Sequence, residues 1–142
     1  MFDRYPHAKG IAIKHGFSED NLYVIYNSLN YDAQSTYRNN ITEAELVDVR
    51  RNLFSNERPI VICSSRLTKA RRLDLLFDAV AQLRSQGRKL NILLVGDGEE
   101  KTALQRRADK LGLDVCFFGA TYDERQIALL TSMAAILSLI HI

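Results

Sequence analysis

The sequence predicts an α/β fold built from parallel, Rossmann-like βαβ units. Two observations predict it: three short segments are apolar along their whole length, and each is followed by an amphipathic segment with helical spacing. Continuously apolar strands are typical of a parallel sheet that is covered on both faces. The chain has 142 residues, of which 46% are hydrophobic and 25% charged, so it is long enough for one ordinary domain.

The first part of the chain carries weaker signals. Residues 22–26 are β-branched, aromatic or leucine, and they predict a short strand. The polar residues 30–40 are typical of a connector. Thr42, with Glu45 three residues later, predicts a capping box at the start of a helix that ends near Phe54.

From residue 59 onward the pattern is regular. Continuous apolar runs predict strands at 59–63, 92–95 and 115–118. The spacing of apolar residues between and after them predicts helices at 69–86, 99–111 and 123–133. Ligands of such sheets bind beyond the carboxyl ends of the strands, so we expect any site in the loops at 64–68, 96–98 and 119–122.

The composition argues against several classes of function. A formal net charge of +2 is too small to indicate nucleic acid or a membrane surface as partner. The first 14 residues have no apolar secretory core, and no apolar run approaches the ~20 residues that cross a bilayer. Cys63 and Cys116 lie in apolar runs without a C-x-x-C pattern, which predicts reduced core residues and a cytoplasmic protein. The histidines have no metal-ligand spacing, so no metal site is predicted.

The loop after the first regular strand is the most informative segment. Thr68 predicts a helix N-cap, which would place Lys69, Arg71 and Arg72 in the first helical turn. Cations there oppose the helix dipole by ~0.3–1 kcal/mol each, and such violations are typical of functional sites. A bound phosphate would reverse the effect, because backbone N–H and guanidinium groups both favour an anion. A solvated basic turn, with Arg66 paired to a carboxylate, is the alternative.

The Gly-Asp-Gly turn at residues 96–98 follows the second regular strand. It matches only the first part of the dinucleotide-binding fingerprint, because Lys101 stands where the third glycine would be. Two glutamates follow it, in what we expect to be the first helical turn, where they would repel a pyrophosphate. A nicotinamide oxidoreductase is therefore disfavoured. The turn predicts either close backbone approach to a neutral part of a ligand or an ordinary strand-to-helix connection.

Four segments resemble motifs of one enzyme family, in the right order and spacing. They are Tyr-Val-Ile-Tyr-Asn-Ser-Leu at 23–29, Ser-Arg-Leu-Thr at 65–68 with Arg71 and Leu-Asp-Leu-Leu at 73–76, Leu-Leu-Val-Gly-Asp-Gly at 93–98, and Val-Cys-Phe-Phe-Gly at 115–119. They are similar to V-I-x-N-G, G-R-L-x-x-x-K-G-x-D-x-L, L-x-I-V-G-D-G and V-x-F-L-G of the retaining, two-lobed (GT-B) glycosyltransferases called family 4 or group 1. The resemblance covers residues 9–136, with Ser at position 65 instead of Gly and Arg at position 71 instead of Lys.

The resemblance implies a set of binding residues and partners. Arg66 and Arg71 would hold the diphosphate of the donor. The nucleotide of the donor would lie against Gly96, Asp97, Gly98, Phe118 and Gly119. Catalytic residues remain unknown, and neither a cofactor nor a metal is implied. The partners would be a nucleotide-diphosphate sugar and a glycan or lipid-linked acceptor, without nucleic acid, in a cytoplasmic enzyme whose full-length form can associate peripherally with a membrane.

The resemblance also implies a domain division. Residues 1–30 would end the acceptor-binding lobe and cross over, 31–56 would be a connector and helix, and 57–136 would form part of the C-terminal, donor-binding lobe. The acidic E-x-x-x-x-x-x-x-E motif of the family would lie beyond residue 136. Residues 137–142 match the translation of a transposon-end sequence found in sequencing adaptors, so we expect them to be adaptor-derived.

The resemblance thus implies a glycosyltransferase fragment, inactive by itself, whose parent moves a sugar from a nucleotide-diphosphate donor to a glycan, lipid or polysaccharide-precursor acceptor. The alternative is a small α/β regulatory module that binds a nucleotide or phosphate without transfer chemistry. Such a module would need an acidic cluster at the strand ends, where this sequence has a basic loop.

Overall fold

The computed structural model describes residues 2–3, 6–24 and 31–138. The chain divides into two compact units, Met1–Gln34 and Ser35–Ile142. In the first unit, strands β1 (Phe2–Asp3) and β2 (Tyr23–Val24) pair in parallel. Helix α1 (Pro6–Lys14) and a 3₁₀ turn at Glu19–Asn21 connect them along the chain. The predicted strand at 22–26 is confirmed at Tyr23–Val24; its last two residues, and residues 25–29 of the first motif, lie outside the described residues.

Helix α2 (Tyr31–Asn39) replaces the connector that the sequence predicted for residues 30–40. The prediction was wrong because this helix is largely polar and shows no buried apolar stripe. Its charges nevertheless suit the helix dipole, with Asp32 in the first turn and Arg38 in the last.

The second unit contains the regular βαβ pattern that the sequence predicted. Its elements are α3 (Glu43–Leu53), β3 (Ile60–Ser64), α4 (Leu73–Ser85), β4 (Asn91–Val95), α5 (Lys101–Leu111), β5 (Asp114–Gly119), α6 (Glu124–Ser132) and β6 (Ile136–Leu137). The strands form a parallel sheet in the order β5-β4-β3-β6. The predicted parallel α/β fold is therefore confirmed, and the two-residue strand β6 is an element that the sequence did not predict.

The capping box at the start of α3 is confirmed. The Thr42 hydroxyl accepts from the Glu45 backbone N–H at 3.3 Å, and the Glu45 carboxylate accepts from the Thr42 backbone N–H at 3.0 Å. The helix ends at Leu53, one residue before the predicted end, with Phe54 as its C-cap. Local hydrogen-bond chemistry therefore fixes where this helix begins.

Two apolar clusters cover the two faces of the sheet. Alternate residues of β3 point to opposite sides, so Val61 and Cys63 pack with α4 and α5, while Ile60 and Ile62 pack with Phe54 and residues of α6. All five residues of the central strand β4 are buried. This arrangement leaves the loops at the carboxyl ends of the strands exposed to solvent. No helix among the described residues is long and apolar enough to span a bilayer.

The cysteines lie in the sheet, as predicted. Cys63 is buried, Cys116 is half-buried, and both are free thiols. Burial raises the pKa of both thiols, which keeps them protonated and unreactive near neutral pH. They therefore behave as small core residues.

Candidate functional site

The three loops that the sequence marked as the place for a site meet at one edge of the sheet. Because β3, β4 and β5 are adjacent and parallel, the loops that follow them lie side by side. Together they enclose a cavity of about 320 Å³, lined by residues 64–66, 95–97 and 120–122. A cavity at the carboxyl ends of parallel strands is the usual ligand position in such folds.

Backbone hydrogen bonds tie two of these loops together beyond the ends of their strands. The Ser65 N–H donates to the Val95 carbonyl at 3.0 Å, and the Leu67 N–H donates to the Asp97 carbonyl at 2.9 Å. The Leu67 carbonyl in turn accepts from the Glu100 N–H at 3.0 Å. The ladder between β3 and β4 therefore continues into the loops, which gives the cavity wall a fixed backbone.

Gly96 and Gly98 permit this contact between the loops. A Cβ on Gly96 would overlap the Ser65 carbonyl, lying 2.9 Å from its carbon, and Gly96 also has a φ of +148°. A Cβ on Gly98 would overlap the Leu67 carbonyl, lying 2.7 Å from its carbon. The family resemblance assigned both glycines to the nucleotide; in the structure the backbone of this same chain lies on the side where their Cβ atoms would be.

The Asp97 side chain stabilises the turn that contains these glycines. Its Oδ1 accepts from the Gly98 N–H at 2.8 Å, and its Oδ2 lies 3.3 Å from the Lys101 ammonium. The Gly98 hydrogen bond, followed by that of Lys101, lowers the pKa of the Asp97 carboxyl below its usual range. Asp97 is thus an ionised carboxylate whose two oxygens both have partners within the chain.

Arg66 lines the cavity and is exposed. Neither Arg66 nor Arg71 forms an ion pair with a carboxylate of residues 9–23 or 31–138, so the alternative that Arg66 is neutralised by a neighbour finds no support there. Arg71 does not line this cavity. It is half-buried, and its charge lies near enough to Cys63 to counter partly the pKa rise that burial causes there. Of these two arginines, Arg66 lines the cavity and Arg71 lies near the end of β3 without lining it.

The predicted helix start at residue 69 is wrong. Lys69–Arg71 form a single 3₁₀ turn, Arg72 adopts a left-handed backbone with φ +48°, and α4 begins only at Leu73. Thr68 precedes the 3₁₀ turn and makes no side-chain capping bond. The basic residues therefore do not occupy the first turn of α4, which carries Asp74 instead, and the argument from an unfavourable helix dipole fails.

Arg72 is the one non-glycine residue with positive φ in the described chain. The motif that this segment resembles has glycine at this position, and the left-handed backbone gives the physical reason. The Arg72 Nε donates to the Asp74 Oδ1 at 3.1 Å, so its guanidinium is paired with a carboxylate. Sequence reasoning missed this residue because it treated residues 69–86 as one helix.

The next helix also begins later than predicted. Helix α5 starts at Lys101, so Glu99 and Glu100 precede it and do not occupy its first turn. The Glu100 carbonyl accepts from the Leu104 N–H at 2.8 Å, which begins the helical hydrogen bonding. The two glutamates therefore flank the start of α5 instead of lying in its first turn, and they do not line the 320 Å³ cavity.

Phe118 and Gly119 have roles in the fold. Phe118 is half-buried and packs against the cluster on the face of the sheet that α3 and α6 cover. Gly119 has φ +95°, and its carbonyl accepts from the Gly96 N–H at 2.8 Å. The cavity wall after β5 is instead made by residues 120–122, among them Tyr122, which is 94% exposed. Tyr122 is the aromatic residue of the loop at 119–122, which the sequence had marked as part of a site, and that was the signal that could have identified it.

A larger cavity of about 520 Å³ lies between the start of α4 and α5. Two of its cations, Arg72 and Arg107, pair with Asp74 and Asp78. We therefore take the smaller cavity as the candidate site, because it lies at the strand ends and its guanidinium has no carboxylate partner among residues 9–23 and 31–138. Within the described parts of the chain, no three His, Cys, Asp or Glu side chains cluster as a metal site would need.

Known proteins resemble both the sequence and the fold. Residues 47–140 match the family "Glycosyl transferases group 1". Alpha-D-kanosaminyltransferase from Streptomyces kanamyceticus is 27% identical over 85 residues, which are 60% of this chain and 22% of that protein. HepE from Anabaena, solved in complex with UDP-glucose, superimposes with a TM-score of 0.68 at 24% identity, over 96% of this chain and 36% of that one. A glycosyltransferase from Rickettsia africae gives 0.71 at 20%, with the same coverage.

The chain spans about a fifth to a third of the length of these relatives. The match to the family nevertheless covers about two thirds of the chain and includes all three loops around the cavity. The structural neighbours confirm the predicted GT-B type of Rossmann-like fold. The chain belongs to the group 1 glycosyl transferases.

Proposed function

We propose that this chain binds the nucleotide-diphosphate sugar of a glycosyltransferase in the 320 Å³ cavity at the carboxyl ends of β3, β4 and β5. One observation carries the proposal: Arg66 lies in the cavity wall with no carboxylate partner among residues 9–23 and 31–138. A guanidinium in that state is available for a phosphate, which it can bind through two parallel hydrogen bonds.

The charges around Arg66 support an anionic ligand. Asp97 is the carboxylate of the cavity lining, and its oxygens are already engaged by Gly98 and Lys101. Arg71 adds a second cation near the end of β3. Arg66 in the lining and Arg71 near the end of β3 are thus the two cations available to an anion, and we assign the diphosphate to them without a metal ion.

Tyr122, in the wall of the same cavity, supports a nucleobase as part of the ligand. Its ring is 94% exposed although it lies in a cavity wall, so an aromatic face is open to a ligand. Stacking of a base on an aromatic side chain contributes ~1–3 kcal/mol. We therefore place the nucleoside near Tyr122 and residues 96–98, with the phosphates toward Arg66.

The activity of the whole protein is a wider proposal, because the chain spans only 22% to 36% of its relatives. We propose that this chain supplies part of the donor lobe of a protein that transfers the sugar, with retention of configuration, to a glycan, lipid or polysaccharide-precursor acceptor. Membership in the family favours this reading over a regulatory module without transfer chemistry.

Calorimetric titration with UDP, GDP and ADP tests the donor site. Arg66→Ala should lower the affinity for whichever of these diphosphates binds by about ten- to hundredfold, because a hydrogen bond to a charged group contributes ~1.5–3 kcal/mol. Arg71→Ala should weaken it in the same direction. Arg106→Ala is the matched control, since it removes the same charge from an exposed position on α5 outside the cavity. Wild-type affinity in Arg66→Ala would refute the phosphate assignment, and binding that EDTA abolishes would refute the metal-free one.

A further inference from the structure

Ser65 lies beside Arg66 in the cavity wall and has a fixed backbone. It directly follows β3, is half-buried, and donates its N–H to the Val95 carbonyl at 3.0 Å. Its own carbonyl packs against Gly96, where a Cβ would not fit. The position of the Ser65 Cα relative to the cavity is therefore set by two contacts that do not involve its side chain.

The Ser65 hydroxyl, by contrast, is weakly engaged. It lies 3.3 Å from the carbonyl of the adjacent residue, Arg66, and 3.9 Å from the Cys63 sulfur. Hydroxyl hydrogen bonds to oxygen are ordinarily about 2.7–2.8 Å long, and a thiol is a poor partner. The hydroxyl can therefore rotate toward a better acceptor without giving up a strong bond.

We propose that the Ser65 hydroxyl donates a hydrogen bond to a phosphate of the bound nucleoside diphosphate, next to the Arg66 guanidinium. This inference rests on the proposed donor site. The motif that residues 65–76 resemble has glycine at this position, which could offer only its backbone. Serine adds a neutral donor to the cationic one, so this chain holds the diphosphate with a contact that a glycine-bearing loop lacks.

The contact makes a quantitative prediction for variants of this residue. Ser65→Ala and Ser65→Gly remove the hydroxyl and should each weaken diphosphate binding about tenfold. That fold-change is at the lower end of what the loss of a hydrogen bond to a charged acceptor causes. Ser65→Thr keeps the hydroxyl and should retain affinity within about threefold. Binding of the parent nucleoside, which has no phosphate, should not change in any of the three.

Calorimetry of the 142-residue chain with UDP, GDP or ADP, and with the parent nucleoside of the one that binds, tests this. Arg66→Ala is measured in parallel. Ser132→Ala is the hydroxyl control, because Ser132 lies at the exposed end of α6. Wild-type affinity in Ser65→Ala, together with weakened binding in Arg66→Ala, would overturn the role of Ser65 and leave the donor site standing. An equal loss for the nucleoside would also overturn it, because the substitution would then have disturbed the loop. Failure of the wild-type chain to bind UDP, GDP or ADP would overturn both proposals.

Discussion

Replacing Gly98 with alanine tests whether the Gly-Asp-Gly turn is needed by the fold or by the ligand. A Cβ at this position would overlap the Leu67 carbonyl, 2.7 Å from its carbon and 2.9 Å from the Leu67 nitrogen. These are backbone atoms that a side-chain rotation cannot move. Gly98 does not have a positive φ, so lack of space is the whole penalty.

The size of the effect follows from what must move. Overpacking of this kind costs ~1–3 kcal/mol, and shifting the loop also weakens the two backbone hydrogen bonds of Leu67, which contribute about 1 kcal/mol each. We expect Gly98→Ala to lose about 2–4 kcal/mol of unfolding free energy. For a chain of this length that lowers the Tm by roughly 5–15 °C.

Gly119 provides the matched control, because glycine is needed there for its backbone conformation and not for lack of space. It has φ +95°, and among the described residues no heavy atom beyond its two chain neighbours lies within 4 Å of where its Cβ would be. Gly119→Ala should therefore cost only conformational strain, ~1–2 kcal/mol. Asparagine tolerates a left-handed backbone, so Gly119→Asn should regain part of that loss, whereas Gly98→Asn should be at least as destabilising as Gly98→Ala.

Thermal melting followed by circular dichroism, without ligand, measures all four variants. If Gly98→Ala melts like the wild type and only its nucleotide affinity falls, then the glycine serves the ligand and the packing argument is refuted. If Gly98→Asn melts higher than Gly98→Ala, the residue needs conformational freedom and not space, which would refute it as well.

Three further predictions concern Arg72, Glu45 and Phe77. Arg72→Gly should exceed Arg72→Ala in unfolding free energy by about 1 kcal/mol, because glycine adopts φ +48° without strain and alanine does not; equal values in denaturant unfolding would contradict this. Hydrogen bonds from Arg125, then from Thr42, lower the pKa of Glu45 from 4.5 to about 2, so its stabilisation is present above pH 4.5 and is lost as the pH falls toward 2. Glu45→Gln should flatten that part of the stability–pH curve, and an unchanged curve would contradict the assignment. Phe77→Ala should cost about 3–5 kcal/mol because Phe77 is fully buried, and a loss below ~1 kcal/mol would show that the core does not depend on it.

Strands and capped helices could be predicted from the sequence because their signals are local. The apolar runs around Val61, Leu93 and Phe117 predict β3, β4 and β5, and each predicted end lies within one residue of the observed end. The Thr42–Glu45 pair is self-contained, since both of its hydrogen bonds form between residues three apart. The sequence signal for a buried strand or a capping box therefore lies within the element itself.

The start of α4 and the identity of β6 could not be predicted in this way. Thr68 followed by basic residues has the appearance of a capped helix, and only the left-handed Arg72 separates the 3₁₀ turn from α4. Few sequence patterns place a non-glycine residue in that conformation. Strand β6 is two residues long, and it exists through its pairing with Val61 and Ile62, which no local pattern can report.

The same distinction applies to the candidate site. Glycines and basic residues could be placed in the correct loops from sequence, but which of them face a ligand depends on contacts between loops that are about 30 residues apart in the chain. Gly96 and Gly98 sit against the backbone of residues 65–67, and Asp97 is occupied by Lys101. The motif does not distinguish these residues from Arg66, but the structure does. Gly96, Asp97 and Gly98 form a framework that holds the loops together, whereas Arg66 is exposed in the cavity wall.

That division bears on how the cavity could bind a diphosphate. The framework contacts are backbone hydrogen bonds and glycine packing, which need no ligand to form. Because the Asp97 carboxylate is hydrogen-bonded by Gly98 and Lys101 within its own turn, it does not compete with a phosphate for Arg66. A ligand would then bind a fixed backbone and a guanidinium that has no carboxylate partner among residues 9–23 and 31–138, and little of the binding free energy would be lost in ordering the loop. Substitutions that loosen the framework, such as Gly98→Ala, should consequently weaken diphosphate binding as well as stability, whereas Arg66→Ala should weaken binding alone.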